Sequence, residues 1–122
     1  MTTPYKSKGG PSRLFHALKY SAKGLAAAFK YEAAFRQELL VALFLFPLAF
    51  WIGESMLETL LLLVSILFIL IVELLNSGLE AIADAVTIEH HPLIGRAKDL
   101  GSAAVLLSIV LALLIWVGAI IS

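Results

Sequence analysis

Three long apolar runs leave this 122-residue sequence few ways to fold. They cover about residues 33–52, 56–75 and 100–121, and the helices that contain them are expected over about 33–52, 56–83 and 97–121. A helix needs about 20 apolar residues to cross the hydrocarbon core of a bilayer, and each run is close to that length or longer. The sequence is 61% hydrophobic, well above the fraction usual for soluble domains. We therefore predict an all-α membrane protein with three transmembrane helices in a single domain over residues 12–122.

A further helix is predicted ahead of the first apolar run, over about residues 12–31. Apolar side chains favour one side of this segment and basic side chains the other: Leu14, Phe15, Leu18, Leu25 and Phe29 against Arg13, Lys19, Lys23 and Lys30. The pattern is typical of an amphipathic helix lying in the headgroup layer of a membrane. Residues 1–11 are polar, and we expect them to be disordered and not to form a signal peptide.

The distribution of lysine and arginine predicts the orientation in the membrane. Seven of the nine precede or open the first apolar run, and the other two, Arg96 and Lys98, lie between the second and third runs. The short link at residues 53–58 has none. By the positive-inside rule, the N-terminus and the second loop are cytoplasmic, and the 53–58 link and the C-terminus are outside. Trp51 and Trp116 fall near the outer ends of their runs, as residues of an aromatic belt do.

Acidic and amide side chains interrupt the second apolar run near its cytoplasmic end. Asn76, Glu80 and Asp84 follow Glu73 at +3, +7 and +11. At about 100° per residue these positions share one face of a helix. Ionisable residues inside a membrane cost several kcal/mol, on the order of 3, unless they are paired or functional. The spacing therefore predicts a functional site on the cytoplasmic side of this helix.

Charged residues from the other helices are expected at the same depth. Glu32 precedes the first run, and Lys98-Asp99 opens the third. Carboxylates at this level can relay protons or ions, act as a general base, or hold a hard cation such as Mg²⁺. Glu32, Glu80 and Lys98 together suit Mg²⁺ with a nucleotide, although Lys98-Asp99 can also simply mark the cytoplasmic end of the third helix. The sequence has neither a Walker motif nor a kinase-type glycine-rich loop, so a kinase here would be of an unrelated kind.

Three sequence blocks carry a resemblance to a known family. They are EAAFRQE at residues 32–38, VELLNSGLEA at 72–81 and GRAKDLGSAAVL at 95–106. In this order they resemble the small bacterial integral-membrane diacylglycerol kinases, from about residue 13 to the end. The resemblance implies a homotrimer in the bacterial inner membrane, with one surface helix and three transmembrane helices in each chain. It also implies active sites shared between neighbouring subunits.

The resemblance further implies ATP-dependent, Mg²⁺-assisted phosphorylation of diacylglycerol to phosphatidic acid. Glu73 matches the family's general base, and Glu32 and Glu80 match its metal-binding carboxylates. The positions matching ATP contacts are Arg13, Tyr20, Glu32, Glu80, Glu89, His90, His91, Lys98 and Asp99. The positions matching lipid contacts are Arg13, Gln37, Glu38, Glu73, Asn76 and Ser102.

Other interpretations remain open at this stage. A kinase of the same fold that acts on undecaprenol, and a non-enzymatic membrane subunit or proton-coupled transporter, are the alternatives. The Gly-Ser-Ala-Ala-Val segment at 101–105 looks more like the diacylglycerol branch. The same small residues predict a close-packing helix face, not a phosphate loop. We expect no transition-metal site at residues 89–91 and no nucleic-acid partner.

Overall fold

The computed structural model describes residues 10–86 and 91–122, which form four helices. They are α1 (Gly10–Tyr31), α2 (Ala33–Ile52), α3 (Met56–Val86) and α4 (Pro92–Ile121). The helices α2, α3 and α4 are each long and apolar enough to cross a membrane. The prediction of an all-helical, multi-pass membrane protein is therefore confirmed for the described part of the chain.

Three helix boundaries differ from those predicted by hydropathy. α1 begins at Gly10, α3 continues to Val86, and α4 begins at Pro92. α4 begins early because His91 caps it: the Leu93 amide donates to His91 Nδ1 at 3.1 Å, and Pro92 occupies the first helical turn. Hydropathy detects only the apolar part of a helix, so it misses turns that extend past the membrane. The predicted disorder of residues 1–11 concerns residues 1–9, outside the described ranges, and two residues that belong to α1.

A single residue, Glu32, separates α1 from α2. The Arg36 guanidinium on α2 reaches back over this corner and donates to the carbonyl oxygens of Phe29 at 2.8 Å and Lys30 at 3.1 Å. Carbonyl groups in the last turn of a helix have no partner within that helix, so this contact satisfies two of them at the end of α1. Arg36 thus fixes the junction between the predicted surface helix and the first spanning helix.

The three spanning helices pack through a small core in which α3 contacts both α2 and α4. The buried core residues are Ala42, Ala49, Leu62, Ile66, Ala112 and Trp116. Half of these are alanines, which lets the helix backbones approach closely, as is usual in membrane bundles. Most other large apolar side chains are exposed in the single chain, where lipid or a neighbouring chain can cover them.

One buried hydrogen bond joins α3 to α4 inside this core. Trp116 Nε1 donates to Ser65 Oγ at 2.9 Å, and Ser65 Oγ donates to the Leu62 carbonyl at 2.7 Å. Trp116 is 9% exposed, whereas Trp51 is 84% exposed. The aromatic-belt prediction therefore suits the exposure of Trp51 but is wrong for Trp116. Trp116 faces the bundle because its indole N–H finds an acceptor there.

We expect Ser65→Ala to lower the free energy of unfolding by about 0.5–2 kcal/mol, because the Trp116 N–H would stay buried without an acceptor. The matched background is Trp116→Phe, which keeps an aromatic ring but has no N–H to satisfy. In the Trp116→Phe background, Ser65→Ala should lower the free energy of unfolding by a smaller amount. Reversible unfolding in mixed micelles measures all four proteins of this cycle. An equal cost of Ser65→Ala in both backgrounds would contradict a stabilising hydrogen bond.

Candidate functional site

The polar face predicted on α3 is centred on a buried carboxyl group. Glu73 is 6% exposed although it lies on a membrane-spanning helix. Asn76 and Glu80, further along the same face, are half-buried, and Asp84 is exposed. Exposure therefore rises along α3 from Glu73 towards its C-terminal end. This gradient suits a site that opens at the end of the bundle and reaches inward to Glu73.

Carboxylates from three places come together around Glu73. Glu32 at the α1–α2 corner and Glu80 on α3 both lie close enough to Glu73 to interact with it electrostatically. Glu38 on α2 also interacts with Glu73. Like charges in a partly dry site repel one another, so a cation bound among them would stabilise the arrangement. The predicted convergence of Glu32 and Glu80 on Glu73 is consistent with these interactions.

The residues present have suitable chemistry for a magnesium ion. Glu32 makes no side-chain capping hydrogen bond at the start of α2, which leaves its carboxylate oxygens open to a ligand. Within residues 10–86 and 91–122, no three acidic, histidine or cysteine side chains converge as a complete metal site. Mg²⁺ commonly takes only one or two carboxylates and completes its shell with water and phosphate oxygens. The pair Glu32 and Glu80 fits that requirement together with a nucleotide.

Two acceptor atoms near Glu73 are buried without a hydrogen-bond partner. They are Oε2 of Glu38 and Oδ1 of Asn76. A buried acceptor left unpaired costs about 1–3 kcal/mol, so such atoms are unusual unless a ligand or water satisfies them. Both atoms belong to residues that the sequence predicted to contact the lipid substrate. Their unpaired state fits a site that receives a hydrogen-bond donor.

An apolar cavity extends from this region along the bundle. Its volume is about 410 Å³, and side chains of α2, α3 and α4 line it. Gln37 and Glu38 lie at the end nearest the acidic residues, and Trp116 lies among the lining residues near the far end of α4. A cavity with polar groups at one end and apolar walls elsewhere suits an amphipathic ligand.

A second cleft separates α1 from α3. It is about 750 Å³ in volume, and Tyr31, Glu32, Ser77 and Gly78 are among its lining residues. Glu32 therefore borders a space that is separate from the apolar cavity and lies against the polar half of α3. Of the acids around Glu73, Glu38 thus borders the apolar cavity and Glu32 borders this cleft.

Lys98 on α4 pairs with the outermost acid of the α3 face. Its Nζ lies 2.7 Å from Oδ1 of Asp84, and it also interacts with Glu80. Both partners are largely exposed, so the pair contributes little to stability and can exchange with another anion. Asp84 therefore lies exposed at the end of the α3 polar face and holds the lysine beside the acidic site.

The remaining predicted site residues are more widely spread in the single chain. Arg13 lies exposed on α1, Tyr20 is half-buried on the same helix, and Asp99 and Ser102 are exposed on α4. His91 uses its Nδ1 to cap α4. Glu89 and His90 lie outside the described residues. One chain therefore brings together the acids, Asn76 and Lys98, and leaves the other predicted contacts on its surface.

Comparison with known proteins identifies the family. The family model described as prokaryotic diacylglycerol kinase matches residues 19–120. The chain belongs to the prokaryotic diacylglycerol kinase family. It is 46% identical to the diacylglycerol kinase of Escherichia coli over 107 residues, which cover 88% of each chain.

Two other relatives of this family match over nearly their whole length. The diacylglycerol kinase of Haemophilus influenzae is 43% identical over 114 residues, covering 93% of this chain and 96% of the relative. That of Pseudomonas aeruginosa is 44% identical over 114 residues, covering 93% of each. Membership in this family agrees with the resemblance carried by the three sequence blocks, and it places the chain among the lipid kinases.

Proposed function

We propose that this protein transfers the γ-phosphoryl group of ATP to diacylglycerol and forms phosphatidic acid at the cytoplasmic face of the bacterial inner membrane. The observation that carries the proposal is the buried carboxyl of Glu73, flanked by Glu32 and Glu80 and lying near an apolar cavity. The relatives named diacylglycerol kinase support the choice of substrate. A purely structural subunit would need neither a buried acid next to carboxylates nor an amphipathic cavity, and the relatives' names favour a kinase over a proton-coupled transporter.

The proposed reaction assigns a proton acceptor to the chain itself. The Glu73 carboxylate takes the proton of the lipid hydroxyl as the hydroxyl oxygen bonds to the γ-phosphorus. The bond between the γ-phosphorus and the β–γ bridging oxygen breaks, and ADP leaves. Because Glu73 is buried, water has little access to the reacting atoms, which protects ATP from hydrolysis.

Positive charge near the phosphates comes from two sources in this proposal. Mg²⁺, bound with the nucleotide, would neutralise charge on the phosphate oxygens. Glu32 and Glu80 are the residues that would hold it. Lys98 would leave its exposed pair with Asp84 and bind a phosphate, which costs little because that pair is solvated.

The lipid would enter with its headgroup at the acids and its chains in the apolar cavity. Gln37 and Glu38 would then lie beside the glycerol, and Trp116 beside the chain. The orientation follows from the basic residues, with the N-terminus in the cytoplasm and the C-terminus outside. α1 would lie in the headgroup layer, where its exposed apolar side chains can insert.

We also propose that three chains assemble and share their sites. Arg13, Asp99 and Ser102 are exposed in the single chain, away from its buried acids. The apolar faces exposed on all three spanning helices offer surface for neighbours. Packing between chains would let one chain supply Glu73 and another complete the nucleotide and lipid contacts.

We expect Glu73→Gln to abolish phosphoryl transfer while leaving the fold intact. The amide keeps the size of the side chain but is too weak a base to take the proton, so kcat should fall by at least about 10²–10⁴-fold. The assay uses purified protein with ATP and Mg²⁺ under three conditions: with diacylglycerol, with undecaprenol, and without lipid. Glu54→Gln, at the opposite end of the bundle, is the control and should keep wild-type activity. Near-native turnover by Glu73→Gln would refute the role of Glu73 as general base. If the wild-type protein preferred undecaprenol, undecaprenol and not diacylglycerol would be the substrate.

We expect Glu32→Ala and Glu80→Ala each to raise the Mg²⁺ concentration needed for half-maximal activity, because each removes an oxygen ligand. Activity is measured against free Mg²⁺ at saturating ATP and lipid, with Glu54→Ala as the control. A change in maximal rate with an unchanged Mg²⁺ dependence in both variants would argue against a ligand role.

We expect mixtures of Glu73→Gln and Asp99→Asn chains to regain activity that neither variant has alone. If sites are shared, randomly mixed trimers contain some sites built from intact halves. The two variants are co-refolded or co-expressed at several ratios, and mixed assembly is verified by two different affinity tags. Verified mixed oligomers without activity at any ratio would mean that each site belongs to one chain.

A further inference from the structure

Gly101 on α4 faces the Asn76 side chain on α3 with no space between them. A Cβ atom placed on Gly101 would overlap Oδ1 of Asn76, with Asn76 Cγ at 3.2 Å and Leu79 Cδ1 at 3.8 Å. The φ angle of Gly101 is not positive, so the backbone conformation does not require glycine. A side chain at this position would instead have to displace the Asn76 amide.

Two other glycines within the spanning helices do not have this constraint. Gly118, further along the same helix, and Gly78 on α3 have no atom within 4 Å of a built Cβ. Gly101 is buried, whereas Gly78 and Gly118 are exposed in the single chain. Close packing of small residues along α4 therefore does not by itself explain Gly101. The difference is the amide lying against it.

The amide that Gly101 accommodates is unusual in two ways. Its Oδ1 atom is buried without a hydrogen-bond partner. It also lies one turn along α3 from Glu73, on the same helix face. Because Gly101 has no side chain, this unpaired acceptor can lie against α4 in its place near Glu73.

We propose that Gly101 is a positioning residue for phosphoryl transfer. Its missing side chain leaves room for the Asn76 amide beside Glu73, where Oδ1 accepts the hydroxyl hydrogen of an incoming lipid alcohol in the bound complex. That same proton then passes to the Glu73 carboxylate as the hydroxyl oxygen bonds to the γ-phosphorus. This role rests on the proposed function, since it concerns the lipid half of the same site. The site then depends on a residue that contacts neither substrate, because Gly101 acts only through Asn76.

The kinetic test compares Gly101→Ala with Gly118→Ala in the full-length protein. Gly101→Ala should lower kcat/KM for diacylglycerol about tenfold, the effect of losing one hydrogen bond, and leave KM for ATP within about twofold. Gly118→Ala should match wild type in both. The proposal would be overturned if kcat/KM for diacylglycerol did not fall. It would also be overturned if KM for ATP changed by as large a factor, because a general distortion of the protein would affect both substrates equally.

A second comparison separates action through Asn76 from any other effect of the methyl group. In an Asn76→Ala background the overlap is gone, so adding Gly101→Ala should change kcat/KM by less than about twofold. This double variant should also assemble if Gly101→Ala alone does not. A further loss of more than about threefold in that background would show that Gly101 acts independently of Asn76.

The third measurement does not depend on activity. In protein labelled with ¹⁵N-asparagine, the Asn76 side-chain NH₂ resonance should shift in Gly101→Ala and not in Gly118→Ala. Adding dispersed diacylglycerol should move this resonance in wild type and leave it unchanged in Gly101→Ala. If neither the Gly101 substitution nor the lipid changes the chemical shift of this resonance, the proposal is overturned. If the wild-type protein phosphorylates no lipid but the resonance responds as expected, the proposed kinase activity is wrong. The placement of Asn76 by Gly101 and its contact with the lipid would still be supported.

Discussion

Glu73 places a carboxyl group inside a helix bundle, and the cost of keeping it there shapes the structure around it. A charged group in a membrane interior is stabilised only by partners, water or bound ions. The charged groups shown to interact with Glu73 are the acids Glu32, Glu38 and Glu80, which repel its ionised form. A cation bound among these acids would relieve their repulsion, and a hydroxyl group would satisfy the unpaired acceptors of Glu38 and Asn76. These are the features that the proposed kinase activity uses.

The interface between α3 and α4 carries three contacts of different character along its length. Near the C-terminal end of α4, the hydrogen bond from Trp116 to Ser65 is buried and joins the two helices. Further along the interface, Gly101 lets α4 close on the Asn76 amide. Near the C-terminal end of α3, Lys98 and Asp84 form an exposed ion pair. From Trp116 towards Lys98 the contacts become less buried, and the free-energy cost of breaking them falls. Solvated ion pairs are weak, whereas a buried polar group is expensive to leave unpaired.

This gradient gives the two ends of the bundle different tasks. The end that contains Trp116 holds the helices in register, and the end that contains Lys98 has a lysine that can change partners without disturbing the fold. The polar face of α3 lies between them, bordered by the apolar cavity and by the cleft under α1. Arg36 ties the end of α1 to α2, so Glu32 enters the site from a fixed corner.

The sequence by itself determined the number and positions of the helices and the polar face of α3. Both follow from the chain alone, because a helix has a fixed rise and a fixed angle per residue. It did not determine that Trp116 faces Ser65, that Asp84 holds Lys98, or that Gly101 seats Asn76. Each of these contacts joins two helices, and hydropathy does not distinguish a face turned to lipid from one turned to another helix. Only the tertiary structure decided them, because the rotation and depth of one helix against the next depend on how all their side chains pack together.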